Sequence, residues 1–125
     1  MSRAQDFAEA LQRLEQDRDL DAFVTRFADD AGLLRPEPGG QEQGQDGARR
    51  FWQAYLDQFD TIASTFGRVV DAERYGELEW VSEGRLRTGR DITYAGVSLL
   101  EHDDDGAVVR FATYYDTSAF TTSLR

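Results

Sequence analysis

The sequence contains no cysteine and no lysine, one histidine and two prolines. Without cysteine there is no disulfide, no thiolate metal ligand and no thiol nucleophile. Without lysine there is no Schiff-base chemistry. One histidine cannot build the common histidine-rich metal centres. No run approaches the ~20 apolar residues of a membrane span. No apolar stretch follows a basic start at Met1-Ser2-Arg3, so no signal peptide is read and the expected location is the cytoplasm. With lysine missing, the basic residues are all arginine, a bias more typical of GC-rich coding than of a function.

Positive charge is also scarce: 24 acids face 14 basic residues, a net charge of −10. Such a surface repels a phosphate backbone, so nucleic acid is not an expected partner. What is present suits a core. The 125 residues are 40% apolar and 12% aromatic, near the commonest domain size, and a chain of this length buries roughly two-thirds of its unfolded surface. Residues 1–125 therefore read as one domain, without internal repeats.

Phe7, Ala10, Leu11 and Leu14 recur at helical spacing and predict a first helix, with Glu9, Arg13 and Glu15 read as off that stripe. Asp19 is placed to cap a second helix carrying Leu20, Phe23, Val24 and Phe27, ended by Asp29-Asp30. Gly32-Leu33-Leu34-Arg35 reads as a short strand stopped by the prolines at 36 and 38, and residues 38–47 as a loop. Asp46 then caps a third, aromatic helix with Phe51, Trp52, Tyr55, Leu56 and Phe59. Four β runs follow near 62–74, 77–88, 91–102 and 107–117, separated by turns at Tyr75-Gly76, Thr88-Gly89 and Asp103 to Gly106. The predicted class is α+β, with three N-terminal helices packed into a curved, mainly antiparallel sheet. His102, beside the acidic turn, is expected to be exposed. That turn lacks the spacing and the bidentate glutamate of a calcium loop. Trp52 reads as core or interface packing.

In the third run, Thr93, Ala95, Val97 and Leu99 share one face and Tyr94, Gly96, Ser98 and Leu100 the other, and neither is charged before Glu101. A strand uncharged on both faces is covered on both. Helices cover one, and a second copy of the chain is the expected cover for the other, giving a homodimer through the sheet.

The order helix, helix, short strand, aromatic helix, four long strands resembles the nuclear transport factor two-like superfamily. The words Phe23 to Leu34, Gly47 to Trp52, Gly96-Val97-Ser98 and Phe111 to Asp116 resemble SnoaL-like members, over about residues 5–120. The resemblance implies a cone-shaped α+β barrel (cystatin-like) with an apolar cavity at its open end. It implies a small, apolar, often cyclic ligand and no cofactor. Enzymatic members are isomerases, cyclases or hydrolases working by acid–base chemistry, and others are non-catalytic ligand-binding or dimerisation modules. Ketosteroid isomerases carry a base before a proline, which Glu37-Pro38 matches with a longer carboxylate. Their oxyanion donors fall near Leu11 and Ser98, where neither needed group stands. Epoxide hydrolases carry a last-strand carboxylate, which Asp116 matches, and an arginine–carboxylate pair two apart on an earlier strand, which Glu83 and Arg85 match in reversed order. The resemblance thus points to Asp116 as the catalytic residue, and to Glu37, Tyr55, Trp80, Glu83, Arg85, Tyr94, Ser98 and Tyr114 as ligand-binding. On the residues alone, each carboxylate reads equally as a surface group and each tyrosine as core packing. Trp80 and Glu83 lie on opposite faces of one strand, so only one of them can point into the cavity.

Overall fold

The computed structural model describes residues 2–121. α1 (Arg3–Asp17) starts at Ser2, whose hydroxyl accepts from the Gln5 amide at 3.0 Å, and ends on Arg18 in the left-handed region with φ 58. It lays Phe7, Leu11 and Leu14 into the core. α2 (Leu20–Val24) is capped by Asp19, which accepts from the Ala22 amide at 3.2 Å. This helix is shorter than expected. Phe27 already belongs to β1 (Phe27–Leu34), and Asp29 and Asp30 are exposed on that strand rather than ending a helix. The reason is tertiary. β1 runs parallel to the last strand, pairing Phe27 with Val108 and Leu33 with Phe111, and this ladder overrides local helical spacing.

The expected loop at 38–47 is partly ordered as strand. β2 (Gln41–Gln43) pairs antiparallel with β1, and α3 (Gly44–Asp57) follows directly. Asp46 lies in the first turn of α3 rather than at its cap, which falls on Gln43 without a side-chain bond. A carboxylate in the first turn still complements the helix dipole.

β3 (Phe59–Ala72), β4 (Tyr75–Leu86), β5 (Asp91–His102) and β6 (Val108–Tyr115) form the antiparallel meander. The first hairpin turns at Glu73-Arg74, two residues before the expected place, because Ala72 pairs with Tyr75. Glu73 takes φ 57 there, the left-handed backbone that tight hairpins use. The six-stranded sheet has the order β2-β1-β6-β5-β4-β3, and it curls around the helices without closing. A fourth helix, α4 (Ser118–Thr121), was not foreseen.

Two apolar clusters fill the concave side. The larger lies under α1, α2 and α3, where Phe7 stacks on Phe111 at 5.6 Å and Trp52 meets Phe7, Phe23, Phe27, Phe51 and Phe111. Trp52 is therefore core. The smaller lies at the other end, around Phe59, Ile62, Trp80, Leu86, Ile92 and Tyr94. Along β5 the residues 92, 94, 98, 100 and 102 point inward. His102 follows this alternation and is 4% exposed, against the expectation of an exposed hairpin residue. Among the described residues, no helix is long and apolar enough to cross a membrane.

Candidate functional site

Between α3 and the concave face of β3 to β6 lies a cavity of ≈ 50 Å³. By comparison, one water needs roughly 10–15 Å³. Its apolar walls are rings. Trp80, Tyr94 and Tyr115 meet pairwise at steep angles of 82°, 75° and 62°, so they stand as three inclined walls rather than a stack. Gly96 makes this possible. A Cβ at that position would come to 2.4 Å from the Tyr114 carbonyl oxygen and 2.5 Å from the Trp80 ring, so glycine leaves room for both. Phe120 of α4 packs on Tyr94 at 4.8 Å and on Tyr115 at 5.7 Å, covering one side.

The polar groups gather at two ends. Behind the inner end, outside the cavity's lining, Glu15 of α1 is only 6% exposed. Its carboxylate accepts from the Ser64 amide at 2.8 Å, the Ser64 hydroxyl at 2.6 Å and the Tyr55 hydroxyl at 2.6 Å. Ser64 in turn touches Ser82 across β3 and β4, Oγ to Oγ, at 2.6 Å. At the rim, Tyr115 donates its hydroxyl to both oxygens of Glu37 at 2.9 Å, and Arg35 lies 3.5 Å from Glu37 and over the Phe51 ring. A third set sits on the wall between them: the Trp80 indole donates to Ser98 Oγ at 3.0 Å, and Ser98 meets Thr113 at 2.8 Å.

Burial and the nearby carboxylates shape the phenols. Tyr55 is pushed well above its ordinary pKa, first by burial and then by the charge of Glu15. Tyr94 is raised by burial and by both Glu15 and Glu37. Tyr115 is raised by burial and by its bond to Glu37. All three keep their protons through the neutral range. Among the described residues, no three His, Asp or Glu side chains gather as a metal site.

The expected site residues divide by strand parity. Tyr55, Trp80, Tyr94 and Ser98 line the cavity, and Glu37 stands at its rim through Tyr115. On β4 it is the Trp80 face that turns inward. Glu83 and Arg85 are exposed on the opposite face, where Arg85 pairs with Asp91 at 3.1 Å. Tyr114 is 41% exposed, while its neighbour Tyr115 points in. Asp116 lies past the end of β6, exposed, with its carboxylate accepting the Ser118 amide at 3.0 Å in the turn ahead of α4. The Ser118 side chain first, and its amide second, lower the Asp116 pKa by hydrogen bonding, and the Asp116 side chain is not among those lining the cavity. Asp116, Glu83 and Arg85 are therefore not brought together around a water. Sequence reading missed Glu15, Arg35, Ser64, Ser82 and Tyr115. Glu15 did carry a signal: it stands four after Leu11 and eight after Phe7, on the very stripe from which it was set aside.

The profile of the SnoaL-like domain family matches residues 4–111. The chain belongs to the SnoaL-like domain family. No curated protein matches it significantly. Solved structures similar to this SnoaL-like domain share its fold at low identity. An NTF2-like protein from Burkholderia pseudomallei is 17% identical, with a TM-score of 0.83 and coverage of 96% of this chain and 95% of that one. A protein from Mycobacterium tuberculosis, in complex with estradiol-17β-hemisuccinate, is 14% identical, with a TM-score of 0.80 and coverage of 95% and 98%. A protein with a ketosteroid isomerase-like fold from Catenulispora acidiphila, in complex with trimethylamine, is 18% identical, with a TM-score of 0.78 and coverage of 90% and 87%. At these identities the likeness speaks for the fold of the SnoaL-like domain, and its own side chains must speak for the rest.

Proposed function

We propose that residues 1–125 form one SnoaL-like domain that binds a small, mostly apolar molecule in the cavity between α3 and the sheet. The observation that carries this reading is the cavity's make-up: inclined aromatic walls with three separate sets of converging polar groups. An apolar pocket with a few oriented polar groups is the usual form of a ligand site. The steroid and amine held by proteins of similar fold are consistent with it. A thermal-shift screen of the whole chain against cyclic terpenoids, steroids and aromatic polyketides tests the reading. A ligand that raises the melting temperature of the wild type but not of Tyr94→Ala supports it, and a screen without any hit counts against it.

A second reading, a cofactor-free acid–base catalyst, is favoured by Glu37. Tyr115 holds both its oxygens and Arg35 stands beside it, so the carboxylate is oriented at the rim where a substrate enters. We assign the proton-transfer role to Glu37 in preference to Asp116, whose exposed carboxylate is engaged by the Ser118 amide ahead of α4. With a turned-over substrate in hand, Glu37→Gln is expected to lower kcat while Asp116→Asn leaves it unchanged. The reverse pattern would restore Asp116.

The reading includes a homodimer. On the outer face, Val81 pairs with Ala95, Val97 pairs with Tyr114, and Leu99 is exposed beside them. A second copy presents the same patch and would cover it, with Glu79 and Glu77 of β4 opposite Val97 and Leu99 at its border. Light scattering at micromolar concentration is expected to give twice the chain mass, and a monomer mass would remove the dimer. A cytoplasmic location and the absence of a nucleic-acid partner complete the proposal, the latter on the net charge of −10.

A further inference from the structure

We propose that Tyr94 is the residue by which the cavity selects its ligand: its hydroxyl donates a hydrogen bond to an uncharged acceptor atom, so the site favours neutral, acceptor-bearing molecules over hydrocarbons and over anions. The inference rests on the cavity being a ligand site. Its first ground is an account of protons around the lining. A hydroxyl has one proton and two lone pairs. Tyr55 and Ser64 give theirs to Glu15, and Tyr115 gives its own to Glu37. Ser64 therefore has none left for Ser82, so Ser82 donates to Ser64. On the wall, Ser98 takes the Trp80 N–H, and Ser98 and Thr113 share one hydrogen bond. Tyr94 is the exception. It lines the cavity and is 8% exposed, and among the described residues its hydroxyl meets no acceptor. A buried donor without an acceptor is unfavourable, and a ligand that brings one relieves it.

The second ground is the company Tyr94 keeps. Trp52 also lines the cavity, and its indole N–H is buried without a partner. Gln58, just past the end of α3, adds an amide to the lining. Among the described residues, no carboxylate side chain lines the space. The polar groups left free for a guest are therefore led by donors, and the guest that complements them carries an acceptor. The rings of Trp80 and Tyr115 stand at 82° and 75° to that of Tyr94, so the apolar body of such a guest lies between ring faces while its acceptor reaches the hydroxyl.

The third ground is charge, and it makes the acceptor a neutral one. The carboxylates of Glu15 and Glu37 both act on Tyr94, whose pKa is raised by burial first and by these two charges after it. The phenol keeps its proton and stays a donor through the neutral range. The same two charges repel an anion placed on that hydroxyl. Arg35, the one charged side chain of the lining, does not reverse this. It stands at the rim, 3.5 Å from Glu37 and over the Phe51 ring, so an anion drawn to it meets Glu37 as well. An uncharged oxygen accepts from Tyr94 without that repulsion.

The test uses the whole chain and three probes on one ring system: 1-indanone, indane (hydrogens in place of the carbonyl oxygen) and the indane-1-carboxylate anion. Affinities are read by calorimetry in the wild type and in Tyr94→Phe, which keeps the ring and removes the hydroxyl. The variant is expected to weaken 1-indanone by about three- to tenfold and to leave indane unchanged within about twofold. The carboxylate is expected to bind the wild type more weakly than the ketone does. A second readout is the infrared carbonyl stretch of bound 1-indanone, which a packing role would not move. It should lie below its position in hexane when the ketone is bound to the wild type, and return toward that position in the variant. Equal changes for ketone and hydrocarbon overturn the proposal. So does an unshifted stretch in the wild type, a carboxylate that binds as tightly as the ketone, or failure of 1-indanone to bind. Binding of 1-indanone and indane without any effect of Tyr94→Phe removes the selection and leaves the small-molecule reading standing, whereas a cavity that takes none of the probes and no compound of the thermal-shift screen counts against both.

Discussion

The two ends of the concave face are both rich in rings, but the rings differ in kind. Under the helices, Phe7, Phe23, Phe27, Phe51 and Phe111 surround Trp52, and they are hydrocarbon throughout except for an indole N–H that finds no partner. At the open end, Tyr94, Tyr115, Tyr55 and Trp80 surround empty space, and all but Tyr94 have their N–H or O–H tied to a serine or a carboxylate. Apolar rings pack until no space is left. Rings with a polar tip must keep that tip near a partner, and the partners here hold them apart. The cavity lies where the two meet, bordered by Phe51, Trp52 and Phe111 on one side and by Trp80, Tyr94 and Tyr115 on the other.

The comparison breaks hardest at the full end. Phe7→Ala removes the ring that touches Phe23, Phe27, Trp52 and Phe111. It should cost about 3–5 kcal/mol in urea unfolding. A loss below ~1 kcal/mol would mean that the end is not close-packed. Gly96→Ala should cost roughly 1–3 kcal/mol, because the new methyl meets both the Tyr114 carbonyl oxygen and the Trp80 ring. It is expected to abolish uptake of any cavity ligand, and unaltered binding would show that Trp80 is not fixed by this contact.

Smaller again is Tyr115→Phe, which removes one hydrogen bond to a half-buried carboxylate, worth about 0.5–1.5 kcal/mol. Ligand affinity should change more than stability, since Glu37 loses the group that orients it. Equal small changes in both would make Tyr115 a packing residue only.

The mildest effect concerns acid. His102 has its pKa lowered, chiefly by burial and also by Arg3, against the raising influence of the Arg74 backbone, Asp71 and Asp103. The unfolded chain therefore binds its proton first, and stability falls as pH drops below the ordinary histidine value of about 6.5. In His102→Gln the melting temperature should fall less steeply between neutral and mildly acid pH, and parallel curves would show that His102 does not report on burial.

Much of the fold was legible because its signals are local. The spacing of Phe7, Leu11 and Leu14 gave α1, and the alternation along β5 correctly paired Tyr94 with Ser98 on one face. Tyr55 followed from the aromatic helix, whereas alternation along β4 left open whether the Trp80 or the Glu83 face points inward. What escaped depends on partners far apart. Glu15 meets Ser64 from 49 residues away, so nothing near it announces a buried carboxylate. Tyr115 was passed over for Tyr114 because a tyrosine pair does not say which member points in, and only the burial of Phe111 and Thr113 at the same parity decides it. Asp116 matched a family word, but a residue just past a strand's end has left the parity that would direct it inward. The early start of β1 was hidden because its pairing partner is the last strand.

That pairing has a consequence in time. β1 is made early, yet it can form its ladder with β6 only after almost the entire chain has been synthesised. Until then α1 and α2 have no Phe111 or Val108 to rest on. Contacts so distant in sequence slow folding, and the rim bond between Glu37 and Tyr115, 78 residues apart, belongs to the same late group. In refolding followed by tryptophan fluorescence, Trp80 in the meander should reach its final environment before Trp52 does. The newborn chain therefore pairs β3 to β6 in order and fastens β1 to the last of them at the end.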